Sequence, residues 1–196
     1  MRAQRSLVIA ALALGAVAAA GSAQAATTVP PAFSDGSFET PTAPPGSFST
    51  VGLGQSIGPW TVTQGNVDLI GAGFWAAADG DQSVDLDGTV AGAVSQTFAT
   101  KPGTTYTVTY SLAGNPAGGS TTKTGKVLIN KQDVQDFSFD TTAKTFLDMG
   151  YETDQVTFLA TSPSTTLAFE STTPGAYGPV LDNVRVNADC CPRACS

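Results

Sequence analysis

Residues 104–112, TTYTVTYSL, alternate with a period of two: Tyr106, Val108, Tyr110 and Leu112 share one face, and Thr105, Thr107, Thr109 and Ser111 the other. That period belongs to an extended strand, and β-branched and aromatic side chains fit its pleated surface. The segment therefore reads as a half-buried strand, with Tyr106 and Tyr110 turned to a core. Shorter runs of the same character recur at 33–39, 60–63, 66–70, 126–130, 134–140, 155–160, 165–170 and 180–187. Phe137 and Phe139 pair on one face, whereas Leu181 is out of phase with Val184 and Val186. Gly- and Pro-rich segments at 41–46, 101–103 and 114–125 separate these runs, and almost nothing repeats at helical spacing. About ten short strands between such turns describe an all-β domain, a β-sandwich or barrel.

Residues 79–100, DGDQSVDLDGTVAGAVSQTFAT, concentrate acidic residues within this pattern. Asp79 and Asp81 open the stretch, Val84 and Leu86 alternate, and Asp87-Gly88 precedes a second alternating run with Val94 and Phe98. Asp-Gly between two such runs predicts a hairpin, here with a longer loop than the two-residue kind.

The first 25 residues have the form of a cleaved secretory leader: Arg2 and Arg5, an apolar run at 7–20, then Ala23-Gln24-Ala25. The run is short for a membrane span, so no membrane insertion is expected after cleavage. Removing the leader takes two of the nine basic residues and none of the sixteen acidic ones, moving the net charge from −7 to −9. Such a surface repels phosphate backbones, which disfavours nucleic acid as a partner. Residues 26–32 are a lead-in, 33–187 one domain, and 188–196 a tail holding Cys190, Cys191 and Cys195. That tail admits an idle end, a disulfide with one thiol left for an intermolecular bridge, or a metal site, for which three cysteines without histidine fall short of a structural zinc set.

The chain contains no histidine, which removes Ser-His-Asp and Cys-His systems together with imidazole metal ligands. Carboxylates remain as acid–base groups. Asp85 and Asp87, two apart on a strand, share a face as a glycoside-cleaving pair would, but same-face carboxylates on a solvent-facing strand are common in acidic proteins.

Read in order, GSFE, PWTV, NVDLIG, the Trp75 loop, DGDQSVDLDG, AVSQTFAT, PGTTYTVTYSLAGNP and GPVLDNVRV resemble the choice-of-anchor C family, allied to the domain-of-unknown-function 642 group of secreted, often wall-associated proteins. The resemblance implies a galactose-binding-domain-like jelly roll, a fold used by many carbohydrate-binding modules. It also implies a structural calcium between the chain ends, with carboxylates from Glu39 and Asp182 and carbonyls from the GSFE turn and the loop at 79–82. Turn capping by the same two side chains is the other reading.

Sugar rings pack their C–H faces on aromatic planes while their hydroxyls bond carboxylates and amides. Trp75 and Tyr177, both in small-residue loops, are the candidate platforms, with Asp79, Asp81 and Asn115 as hydroxyl partners; Trp75 could equally be core. Trp60, opening a strand, is expected in the core. The expectation is a secreted, non-catalytic polysaccharide-binding β-sandwich with structural calcium. A structural or adhesive protein assembling through protein contacts or its cysteine tail is the alternative, and a carbohydrate-active enzyme using Asp85 and Asp87 a third.

Overall fold

The computed structural model describes residues 30–189, so the leader and the three cysteines lie outside the described residues. Twelve strands form: β1 (Phe48–Gly52), β2 (Ser56–Ile57), β3 (Trp60–Gln64), β4 (Asn66–Ile70), β5 (Ser83–Asp85), β6 (Ala93–Ala99), β7 (Thr105–Gly114), β8 (Thr122–Ile129), β9 (Gln132–Asp140), β10 (Glu152–Leu159), β11 (Ser164–Ser171) and β12 (Pro179–Ala188). They build two six-stranded sheets, β1-β4-β5-β12-β7-β10 and β2-β3-β6-β11-β8-β9. Every pairing of named strands is antiparallel. The result is the all-β jelly-roll sandwich expected from the alternation.

The core fills the space between the sheets. Val67, Leu69, Val84, Leu112 and Leu181 meet Trp60, Val62, Val94, Phe98, Leu167 and Phe169, all at most 1% exposed. Tyr110 of β7 crosses the layers to Phe169 of β11, ring centroids 5.0 Å apart and edge to face. Trp60 is buried and donates its indole N–H to the Asp35 carbonyl, 2.9 Å away. Tyr106 stacks on Phe158 of the neighbouring strand at 5.5 Å. Each such ring contributes about 1.5–3 kcal/mol by leaving water.

Two expectations need correction, and a third observation finds its cause. Residues 33–39 form no strand: Asp35 and Phe38 take positive φ, folding the segment into a turn. Its apolar residues still reach the core, Phe33 edge-on to Trp60 and Phe98. The expected Asp87-Gly88 hairpin is absent, because β5 and β6 belong to different sheets. Asp87-Gly88 instead starts a connection between layers, held by the Gly88 N–H donating to Asn66 O and the Gly92 N–H to Leu86 O. The phase change in β12 is a bulge between Asp182 and Arg185 in its pairing with β7, which turns Val184 back to the core.

Candidate functional site

The site lies on the outer face of the first sheet. In β4, Val67 and Leu69 point inward, so Asp68 points out; in β5, Val84 and Leu86 flank Asp85 in the same way. Register sets Thr50 opposite Asp68 and Asp68 opposite Asp85, a polar row across three strands. The next outward row, Phe48, Ile70 and Ser83, is capped at Ser83 by Trp75, whose indole N–H donates to the Ser83 hydroxyl at 2.8 Å.

This partial roof leaves a cleft of about 250 Å³ over the polar row. Phe48, Phe74 and Phe146 form one wall, with Phe74 5.6 Å from Phe48 and 5.3 Å from Phe146 between ring centroids. Asn115, Ala117, Ala176 and Tyr177 form the other, and Asp68, Asp85 and Thr50 lie in the floor. Phe48 is 44% and Tyr177 41% exposed, so each offers ring surface.

Hydrogen bonds beneath the floor fix the second wall. Asp85 accepts from Asn115 Nδ2 at 2.7 Å and from the Gly178 and Asp87 N–H groups at 3.0 Å. The Asn115 N–H donates to Gly178 O at 2.9 Å, tying the two loops together. Tyr177 lies so close over Gly118 that an added Cβ there would sit 2.9 Å from its ring. Fully buried Lys123 donates to Gly118 O at 2.7 Å from below.

Asp85 is 1% and Asp87 0% exposed. Burial pushes Asp85 up to about 8 against the N–H groups that favour its charged form. Burial also pushes Asp87 up to about 6, opposed by Ser171 and the Lys123 charge. Among the described residues, neither Asp87 oxygen has a partner in hydrogen-bonding geometry. Asp68 is raised by burial and lowered by the Thr50 hydroxyl, which donates to it at 2.6 Å. The solvent-facing acidic strand expected at Asp85 and Asp87 is thus a buried one.

Of the residues singled out in the sequence, Tyr177 and Asn115 line the cleft. Trp75 does not. It is 5% exposed and packs edge-on to Phe74 and Phe146 at 5.3 and 5.7 Å, so it supports the wall from behind. Asp79 and Asp81 also lie away from the cleft: Asp79 pairs with Arg185 at 3.3 Å, and Asp81 is exposed.

Glu39 and Asp182 do meet the same loop. Asp182 accepts from the Ala78 and Asp79 N–H groups at 2.7 and 3.0 Å and from the Asn183 N–H at 2.5 Å. Glu39 accepts from the Asp81 and Gln82 N–H groups, both at 3.0 Å. These are capping bonds. A calcium cage needs six to eight oxygens, whereas donors crowd this carboxylate pair. Among the described residues no three His, Cys, Asp or Glu side chains gather in a metal-binding group. The arrangement does not fit the calcium implied at Glu39 and Asp182, and no step below runs through a metal.

Sequence reasoning missed Phe48, Thr50, Asp68, Phe74 and Phe146. Asp68 carried a signal, a lone carboxylate within the apolar run NVDLI, but Phe48, Thr50 and Phe146 came from segments to which no strand was assigned, and Phe74 from one read as a loop.

A solved structure of a family 35 carbohydrate-binding module from Clostridium thermocellum is similar in fold, with a TM-score of 0.51 at 14% identity, over 72% of this chain and 99% of that one. A family 35 module from Paenibacillus barcinonensis matches the same shares with a TM-score of 0.46 at 18% identity. In sequence, the chain is 31% identical to halomucin of Haloquadratum walsbyi over 134 residues, 67% of this chain and about 1% of that protein's length. The family described as "Protein of unknown function (DUF642)" matches residues 31–187, nearly all of the described domain, and the chain belongs to that family.

Proposed function

We propose that this is a secreted carbohydrate-binding protein of the cell wall, matrix or capsule, and that the cleft on the first sheet holds a short segment of a polysaccharide. The observation that carries the reading is the cleft's composition: aromatic rings on both walls and hydroxyl-bonding groups along the floor. Sugars need both, since their C–H faces pack on rings and their hydroxyls demand directed partners. The likeness in fold to a carbohydrate-binding module supports the reading by analogy. The cleft is smaller than the usual ~300–1,000 Å³ of a pocket that engulfs its ligand, which suits an open seat on a longer chain. Hydrolysis on Asp85 and Asp87 would require both to reach substrate, whereas Asp87 is 0% exposed.

Affinity electrophoresis in gels containing soluble polysaccharides tests the proposal. At least one polysaccharide is expected to retard the protein, and Tyr177→Ala and Phe48→Ala to weaken binding by roughly tenfold or more, as loss of a central aromatic anchor does. Retention of full binding by both variants would place the ligand elsewhere.

A further inference from the structure

Resting on that reading, we infer that the cleft selects uncharged sugars and rejects uronate and sulfate polymers. Among the described residues, two carboxylates and no lysine or arginine line it. Asp85 is committed, its oxygens accepting N–H groups from Asn115, Gly178 and Asp87. Asp68 is not. One of its oxygens holds the Thr50 hydroxyl, and the other has no protein donor among the described residues.

A partly buried carboxylate oxygen without a donor is a strong acceptor for a sugar hydroxyl, because the charge shortens and strengthens the bond. The same oxygen repels a uronate or sulfate, which carries a like charge and has no hydrogen to give. The chain's negative surplus adds a long-range component of the same sign. Lys123 does not offset this, since it lies beneath the wall with its ammonium on Gly118 O.

The test uses polymers of one backbone linkage that differ in charge: xylan against glucuronoxylan, and mannan against polymannuronate, each in chelator and again in millimolar calcium. The neutral member of at least one pair is expected to bind roughly tenfold or more tightly than its acidic partner, the size of a like-charge contact at the protein surface. Asp68→Asn, close in shape and uncharged, is expected to narrow that ratio while the circular dichroism spectrum is unchanged. Equal or tighter binding of the acidic member, in either condition, overturns the inference but leaves the carbohydrate reading standing. So does a ratio that Asp68→Asn leaves unmoved. Binding of no polymer at all overturns both.

Discussion

Asp87 allows a quantitative prediction that runs against the usual acid denaturation of proteins. Its carboxyl is fully buried, neither oxygen has a partner in hydrogen-bonding geometry among the described residues, and burial moves it from 3.8 to about 6 against the opposing Ser171 and Lys123. Below pH 3.8 the folded and unfolded chains both hold this proton. Between 3.8 and about 6 the unfolded chain releases it while the folded chain keeps it, so stability falls as pH rises, and above 6 the loss is complete. At 1.36 kcal/mol per pKa unit, the shift is worth about 3 kcal/mol as an upper bound. Asp85 acts in the same direction up to about pH 8. The assay is urea unfolding from pH 4.5 to 8.5 of wild type and Asp87→Asn, a variant of similar shape that cannot ionise. The buried amide carries a pH-independent cost, so only the change in the difference between the two proteins matters. About 1 kcal/mol of that upper bound is already lost at pH 4.5, so Asp87→Asn is expected to gain up to about 2 kcal/mol on wild type across that range, a relative midpoint shift on the order of 1 M with a urea slope near 2 kcal/mol/M. Parallel curves, or a wild type that gains stability towards pH 8.5, would refute the argument and show that Lys123 compensates the charge in full.

Trp75→Ala should cost about 3–5 kcal/mol of stability, the range for deleting a buried aromatic, measurable as a lowered urea midpoint; a change below about 1 kcal/mol would return Trp75 to the ligand surface. Chelation should leave the melting temperature unchanged. A calcium ion at a hundred times its Kd would add about 2.7 kcal/mol, or roughly 5–10 °C for a domain of this size, so a chelator-sensitive melt lost in Glu39→Gln and Asp182→Asn would make those residues ligands rather than caps.

The strands were legible where each sheet face has one neighbour. In β9, and in the first half of β7, one face packs on the core and the other meets water, so the period of two survives in the sequence. It fades in β5, where Ser83, Val84 and Asp85 are all buried because the Trp75 loop covers Ser83 and the Asn115 and Gly178 loops cover Asp85 on the outer face. Strand β1 was missed because it alternates polar Ser49 with exposed Phe48, and the expected strand at 33–39 failed because its aromatics reach the core from a turn. The Asp87-Gly88 error has the same root. Local turn chemistry specifies that the chain bends there, but the sheet it joins next depends on β6 pairing with β3 and β11, contacts that no window of a few residues contains.

The same distinction explains which site residues could be read. Tyr177 and Asn115 were found because a large ring or an amide among small residues in a loop has few other uses. Trp75 satisfied that rule equally well and lies in the packing, since what separates it from Tyr177 is the chain that arrives from elsewhere: Phe146 against the one, and Gly118 and Gly119 beneath the other. Asp68 and Asp85 look alike in sequence, each a single acid between inward-facing apolar residues. Their roles diverge because Asn115 and Gly178 reach Asp85 and not Asp68. A cleft of this kind is therefore made by subtraction: loops 71–78, 115–119 and 174–178 cover part of an outward face, and the cleft-facing groups are those that remain without a cover. Relocating one loop would change the site more than replacing any one of its residues, so variation in loop length is where a domain of this architecture would change what its cleft admits while keeping its core.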